Sequence, residues 1–371
     1  MPAPLSIAQI APPDPLPLPA PGWLLWSLLM LTFFLHMLAM NWVLGGSIIG
    51  AVTRVSRRTS PEADVLVGLL TRSMPSAVAA TITLGVAPLL FVQVLYGRLL
   101  FTSSILMGWF WLSVIPLLII AYYAVYALSF RGDRLGGLEA PLSWLAALCF
   151  MAIGFLYSNN MTLMLRPDSF VSRYLADGRG FHLNLDDPTL VPRYLHMLLG
   201  ALATSGMAIA LIGALRRSLD ARAARYLMRC GSLWFVIPTA INVLFGLWWL
   251  IALPRETMLR FMGGSAVASG ALAIGLLAAL SALLMMAMAL GREDPRGLIR
   301  GGAWSLGLTL VAMVLMRDQV RQGALEAAGF EPSPWVEPQW GPIVLFVVLL
   351  VAALAAVAWM VRAIARPAST S

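Results

Sequence analysis

The sequence predicts an all-α integral membrane protein in which nine transmembrane helices form a single bundle. Three observations support this fold class. Hydrophobic residues make up 60% of the 371-residue chain and charged residues only 11%, with a mean hydropathy of +0.84, which is the composition of a polytopic membrane protein rather than a soluble one. Apolar segments of about 20 residues, the length that crosses a bilayer core, recur along the chain. Arginines gather in alternate connections between these segments.

The nine apolar segments follow one another along the chain, and most connections between them are short. The eighth departs most from an apolar span, because Arg300 lies near its start. In chain order the predicted spans are Trp23–Ile49, Pro75–Leu95, Ile105–Ser129, Pro141–Leu163, Tyr194–Leu215, Tyr226–Leu253, Ser265–Leu290, Leu298–Met316 and Pro342–Val361.

The distribution of arginines predicts the orientation of the bundle. If the N-terminus lies outside, 16 of the 25 arginines and 7 of the 17 acidic residues fall on the inner side, which then has a net charge of +9 against −1 outside. The positive-inside rule therefore favours an outer N-terminus and an inner C-terminus. The same arginine positions account for the overall charge of +8, so nucleic acid is not an expected partner.

The membrane domain is expected to comprise residues 23–365. The preceding residues 1–22 are rich in proline and lack a basic start. We therefore do not expect a cleavable signal peptide and predict an extended outer segment that could lie against a partner. Residues 366–371 would form an inner tail. Two outer connections are of substantial length, Arg166–Arg193 and Arg317–Trp340.

Few ionisable groups lie in or near the predicted spans, and such groups are functional candidates because their burial in a bilayer is costly. His36 lies within the first span, His196 near the start of the fifth, Met262 at the entrance to the seventh and Asp318 at the end of the eighth. With the N-terminus outside, the last three lie near the outer boundary. His36 lies deeper, about 20 Å below Trp23 at the helical rise.

Imidazole and thioether are a usual axial pair for low-spin haem iron. Arginine engages carboxylates bidentately and so suits haem propionates. Such an arginine accompanies three of the candidates, in the pairs Arg193–His196, Arg260–Met262 and Arg321–Asp318. Simpler roles stay open from the residues alone. A buried histidine can hydrogen-bond a neighbouring helix, a methionine usually packs, and charged groups near helix ends usually anchor at the interface.

No other type of site is indicated. Cys149 and Cys230 lie far apart without metal-binding or haem-attachment spacing, which favours buried small hydrophobes. The paired glycines at 45–46, 136–137, 263–264 and 301–302 lack the wider pattern of a phosphate-binding loop.

The order of these motifs resembles that of subunit I of the cytochrome bd-type oxidases over most of the chain. The family has a similar Leu-Gly-Val-Ala run in its second helix, an Arg-x-Met motif, and a Glu-x-x-Arg-Gln element of which MRDQVRQ is a degraded form. Its nine helices and outer N-terminus also agree. The matching stretches, in order, are LTFFLHMLAMNWVLGGSI, TITLGVAPLLFVQVLYG, GDRLGG, FLYSNNMTLMLRPDSF, DDPTLVPRYLHMLLGALATSGMAIA, LRFMGG and MRDQVRQ.

The resemblance implies a set of haem-binding residues. His196 and Met262 would be the axial ligands of a low-spin haem b, and His36 the histidine ligand of a second pocket that holds two haems. Asp318 falls where the family has a glutamate haem ligand, and Arg260 and Arg321 match arginines close to the haems. The resemblance also implies haem b as cofactor, with more than one haem and haem d left open. A second polytopic subunit would be a partner, and the complex would lie in a bacterial inner membrane.

The chain also departs from the family. Only Leu253 to Gly264 joins the sixth and seventh helices, where the family has a long quinol-binding loop. Gln93 stands where the family has a glutamate, and the predicted third span contains no acid, although the family has two glutamates there that are linked to proton delivery. The Trp and Pro of the family's helix-eight motif are missing. The familiar quinol site and proton path are therefore not visible in the sequence.

Three functions follow from this pattern, and whether the chain is itself an enzyme is left open. The first is a haem b electron-transfer subunit that exchanges electrons at the outer face with a periplasmic c-type cytochrome, an iron–sulfur protein or a quinone. The second is a terminal oxidase that reduces O2 with a non-standard donor such as cytochrome c. The third is a haem-free membrane anchor. Trp335 and Trp340 in the last outer connection are candidates for docking a redox partner.

Overall fold

The computed structural model describes residues 17–56, 60–216, 219–330 and 335–365. The predicted inner tail and residues 1–16 of the proline-rich segment lie outside these ranges. Within the ranges, eleven α-helices follow one another with short connections. They are α1 (Gly22–Ser56), α2 (Pro61–Leu106), α3 (Gly108–Leu135), α4 (Glu139–Leu163), α5 (Phe170–Ala176), α6 (Leu190–Leu215), α7 (Ala221–Ala252), α8 (Arg255–Leu259), α9 (Ala266–Ala289), α10 (Arg296–Ala327) and α11 (Trp340–Ala365).

Eight of the described helices are long and apolar enough to cross a membrane, and they match the first eight predicted spans: α1 to α4, α6, α7, α9 and α10. In α11 the described apolar run, Trp340–Ala356, is shorter. The ninth span therefore stays a prediction, and so does the orientation. We call the end of the bundle at which α1, α6 and α9 begin the outer end, after the predicted orientation.

The helix α2 differs most from its predicted span. It begins at Pro61 because the Ser60 hydroxyl accepts a 3.4 Å hydrogen bond from the Ala63 N–H and Pro61 is preformed for the first turn. It continues to Leu106 through a kink at Tyr96 (φ −135°, ψ 26°). Hydropathy predicts only the part of a helix that crosses the hydrocarbon core, whereas caps and kinks decide where the helix ends.

Small residues bring α1, α6 and α7 close together. A Cβ atom on Gly45 of α1 would lie 2.2 Å from the Ala201 carbonyl oxygen of α6, and one on Gly206 of α6 would lie 2.5 Å from the Trp234 carbonyl carbon of α7. Close backbone approach at small residues is a common mode of packing for membrane helices. As a result α6, which carries His196, lies between its neighbours α1 and α7.

The connection between α4 and α6 is held at the outer end by a buried polar network. Oδ1 of Asn159 accepts from the Asn184 N–H at 2.9 Å, and Nδ2 of Asn184 donates to Oδ2 of Asp187 at 3.1 Å. Oδ1 of Asp187 accepts from the N–H and the hydroxyl of Thr189 at 2.8 and 2.6 Å. The network fixes the start of α6, the helix that carries His196.

The described part of the proline-rich segment lies against the last outer connection. The Leu18 N–H donates to the Trp335 carbonyl at 2.9 Å, and the Glu337 N–H donates to the Leu18 carbonyl at 2.9 Å. These bonds form a short parallel bridge between Leu18 and Val336. At this point the segment packs on the chain itself.

Candidate functional site

His196 lies on the face of α6 that packs against α7. Its ring centroid is 5.8 Å from that of Trp249, and a Cβ atom on Gly246 would lie 3.2 Å from both its Nδ1 and its Cε1. Asn242 of α7 also lies near the imidazole. Nevertheless Nδ1 is buried without a hydrogen bond of good geometry anywhere in the described chain, and so is Oδ1 of Asn242. The histidine is therefore not explained by a bond to a neighbouring helix alone.

Three arginines line one small cavity beside His196. The cavity is bounded by Arg193 of α6, Trp249 of α7 and Arg317 and Arg321 of α10, together with apolar side chains of α4 and α10. The guanidinium of Arg193 lies 6.0 Å from the centroid of Trp249, so Trp249 contacts both this cation and the His196 ring. The cavity combines apolar walls with clustered positive charge, which suits an amphipathic anion.

Asp318 is the carboxylate that accompanies these arginines, and it is only 1% exposed. Its Oδ1 pairs with Arg321, three residues later on α10. Its Oδ2 accepts hydrogen bonds from Nε1 of Trp26 at 2.7 Å and from Nε2 of Gln322 at 2.6 Å. Three of its roughly four acceptor positions are therefore engaged within the chain.

His36 lies at the packing surface between α1 and α2. Its Nδ1 is 3.0 Å from the carbonyl oxygen of Thr81. The ring lies close to Gly85, where a Cβ atom would be 2.9 Å from Cε1. One turn before it on α1, Phe33 lies 6.5 Å away between ring centroids, and the guanidinium of Arg317 lies 4.1 Å from the Phe33 centroid. Arg317 thus stands between the His36 region and the cavity beside His196.

Met262 and Arg260 lie in the π-turn Arg260–Gly264 that precedes α9. Met262 is 55% exposed, and no hydrogen bond or ring contact joins it to His196 within the described residues. Arg260 pairs with Glu326 and its second amino group lies 3.5 Å from Oε1 of Gln319. Arg260 therefore reaches α10 beyond the cavity rather than into it.

The structure brings some of the predicted residues together and keeps others apart. Arg193 and Arg321 share one cavity, His196 adjoins it through Trp249, and His36 reaches it through Arg317. Met262 and Arg260 lie to one side at the outer end. Within the described ranges no three His, Cys, Asp or Glu residues gather as a metal-ion site would require.

Arg317 and Trp249 were not predicted from the sequence as site residues. One signal pointed to Arg317, because it is four residues before Arg321 and thus on the same face of an otherwise apolar helix. Trp249 carried no comparable signal. The stretch VLFGLWWL around it is apolar throughout, so the face that turns toward His196 depends on packing.

A comparison with solved structures identifies the fold of the chain. The chain is similar to a chain in the structure of the bd oxidase from Geobacillus thermodenitrificans, with a TM-score of 0.72 and 13% sequence identity. The alignment covers 94% of this chain and 99% of that chain. No protein-family model matches the sequence, and no curated protein is similar to it in sequence. The chain therefore has the all-helical fold of a cytochrome bd-type oxidase chain, as the sequence resemblance predicts.

Proposed function

We propose that the protein is a haem b electron-transfer subunit of a respiratory complex in a bacterial inner membrane. The observation that carries the proposal is the His196 imidazole, for which the described chain supplies no hydrogen bond of good geometry, beside a cavity lined by three arginines. A single imidazole with adjacent cations and apolar walls is the donor set that a haem requires, since the iron takes axial ligands and the propionates take cations.

The charge balance of the cavity supports an anionic ligand. Asp318 pairs with Arg321, whereas Arg193 and Arg317 have no ion pair among the described residues. Uncompensated cations in a low-dielectric interior cost on the order of several kcal/mol each. Two carboxylates brought by a bound cofactor would offset this cost, and haem b carries two.

The residues divide into ligands and charge-bearing groups. His196 and Met262 would hold the low-spin haem b, and His36 and Asp318 would serve a second haem pocket. Arg193, Arg317 and Arg321 would hold carboxylates in the cavity, and Arg260 would support the turn that carries Met262. Haem b bound between these residues would supply a one-electron redox couple inside the membrane.

Electron transfer is favoured over O2 reduction by the groups that stand around Asp318. Trp26, Arg321 and Gln322 already engage this carboxylate, so it would need rearrangement to serve iron. The quinol-binding loop and the acidic residues of the third span are also missing from the sequence. A terminal oxidase with a donor such as cytochrome c remains the second candidate, because His36 lies apart from His196, at the packing surface between α1 and α2. A haem-free anchor would leave the unpaired Nδ1 of His196 and the half-buried cations unexplained.

The proposed partners follow from the exposed surfaces. A second polytopic subunit would cover apolar side chains such as Leu277 and Leu284 of α9, which are exposed in the isolated chain. A periplasmic c-type cytochrome or other redox protein would dock at the outer end, where Trp335 and Trp340 are about half exposed. With no long loop beside α8, a quinone would have to bind between helices.

The test is haem analysis of the purified chain. A pyridine haemochrome assay should show at least one haem b per chain, and dithionite should reduce it. Carbon monoxide separates the two redox candidates, because it should leave the reduced spectrum unchanged for pure electron transfer and shift it for an oxidase with an open iron. A chain that copurifies with no haem, and takes up none when haem is added, would leave only the anchor.

A further inference from the structure

The two membrane histidines each lie against a glycine of the long helix that follows. Nδ1 of His36 lies 3.0 Å from the Thr81 carbonyl oxygen, and four residues after Thr81 comes Gly85, where a Cβ atom would lie 3.0 Å from Nδ1. Nδ1 of His196 has no hydrogen bond of good geometry in the described chain. Asn242 lies near the ring, and four residues after Asn242 comes Gly246, where a Cβ atom would lie 3.2 Å from Nδ1. Each ring thus turns its Nδ1 edge to a helical backbone that a glycine leaves uncovered.

The spacing of the two arrangements is nearly identical. In sequence, 49 residues separate His36 from Gly85 and 50 separate His196 from Gly246. In each case the histidine lies on one helix and its glycine on the next long helix, α1 with α2 and α6 with α7. The histidines of the first and fifth predicted spans therefore each lie against a glycine of the long helix that follows.

The contact between Nδ1 and the neighbouring helix determines which ring nitrogen has a lone pair available to bind a metal. A carbonyl oxygen only accepts, so Nδ1 of His36 must carry the proton that it donates to Thr81. The lone pair of the neutral ring then lies on Nε2, which is the more distant from Gly85, at 3.7 Å from the position of a Cβ atom. Histidines that bind metal usually donate their other nitrogen in this way, which fixes the tautomer and the ring orientation.

We propose that Gly85 and Gly246 are positioning residues that seat His36 and His196 with Nδ1 against the neighbouring helix, and that Nε2 is the ligating nitrogen in both. The inference rests on the proposed haem function for the identity of the ligand, but not for the tautomer. At the second position Nδ1 has no hydrogen bond among the described residues, so the contact with Gly246 is the observation that carries the comparison there.

The first experiment measures the tautomers without reference to haem. The chain has only three histidines, so ¹⁵N-histidine NMR of the full chain in detergent, prepared without added haem, can be assigned with single His variants. His182 is an internal reference, since its Nε2 lies 2.5 Å from the Asp177 carbonyl and must carry the proton. We expect Nδ1–H in neutral His36 and His196. A proton on Nε2 of either ring would overturn the inference.

The second experiment compares glycine variants. Gly85→Ala and Gly246→Ala each put a methyl group against a histidine ring, whereas Gly68→Ala in α2 and Gly270→Ala in α9 meet nothing within 4 Å. We expect Gly246→Ala to weaken binding of the low-spin haem about 10- to 100-fold and to shift its midpoint potential. Gly85→Ala should affect only the second haem, and both controls should match wild type.

The outcomes separate the two proposals. If wild type holds haem that His196→Ala loses, while Gly246→Ala behaves like Gly270→Ala, the seat is refuted and the haem function stands. If no variant binds haem, the haem function fails, and the NMR result still decides the seat. Circular dichroism of each variant distinguishes a folded chain with a displaced histidine from a chain that has not folded.

Discussion

Nε1 of Trp26, near the start of α1, donates a 2.7 Å hydrogen bond to Oδ2 of Asp318 on α10. This bond joins the first long helix of the chain to the last helix that qualifies as a membrane span. Asp318 also binds Arg321 and Gln322 on its own helix. The carboxylate is thus the centre of a buried polar network at the outer end of the bundle, whether or not it also serves iron.

Removal of the Asp318 carboxylate should destabilise the chain even without haem. Asp318→Ala leaves Arg321 buried beside Arg193 and Arg317 without its counter-charge, and breaking a buried pair in this way costs about 3–5 kcal/mol. Thermal unfolding in detergent should show a lower midpoint than wild type. Trp26→Phe is the milder comparison, at about 1–3 kcal/mol, because it removes one donor and keeps the ring. An unchanged midpoint for Asp318→Ala would mean that the network contributes nothing to the fold.

Met262→Leu should separate ligation from packing. Met262 is more than half exposed, so the free energy of unfolding of the haem-free chain should change by no more than about 0.5 kcal/mol. The haem spectrum should change from low-spin toward high-spin, because leucine offers no sulfur to the iron. A low-spin spectrum that persists in Met262→Leu would exclude Met262 as the sixth ligand and leave His196 with another partner.

Arg317→Leu should lower the midpoint potential of a bound haem. A nearby cation disfavours the ferric state, which carries one more positive charge than the ferrous state. At an effective dielectric constant of about 20, the interaction is worth roughly 1–2 kcal/mol, or several tens of millivolts for a one-electron couple. Potentiometric titration measures this shift. A rise in the potential, or no change, would show that Arg317 lies too far from the iron to act on it.

The outer connection between α4 and α6 should become less stable at acidic pH. The Arg173 guanidinium beside Asp186 holds the pKa of that carboxyl below its usual range. A lowered folded-state pKa stabilises the connection at all pH values above the unfolded value of about 3.9, and this contribution is lost as the pH falls through the folded value. The protection factors of amides 177–189, which correct for the intrinsic pH dependence of exchange, should therefore be constant near neutrality and fall below about pH 4. In Arg173→Ala the protection factors should be lower at neutral pH and should depend less on acid, because the pKa of Asp186 then lies closer to its unfolded value.

Much of the fold was predictable because hydropathy reports the membrane-spanning part of each helix directly. The eight spans that the structure describes follow the predicted order, although α2 extends well beyond Pro75–Leu95 at both ends. Its N-terminal extension comes from the Ser60 cap, and its C-terminal extension passes a kink, neither of which changes hydropathy. Helix ends were therefore the least predictable part.

The candidate site was predictable only where a polar group stood out in an apolar stretch. His36, His196 and Arg321 met that condition. Trp249 did not, because an apolar helix carries no pattern that tells which face meets its neighbour. No sequence pattern pointed to the glycines at 85 and 246 either, because their role depends on a histidine of another helix that lies against them.

The account depends most on His196 as a haem ligand. The most direct measurement is the reduced-minus-oxidised difference spectrum of the purified wild-type chain beside that of His196→Ala, at matched protein concentration and with folding checked by circular dichroism. We predict a low-spin haem b signal in wild type that His196→Ala loses. A wild-type chain without a haem signal, or a signal that is the same in the folded variant, would contradict the account.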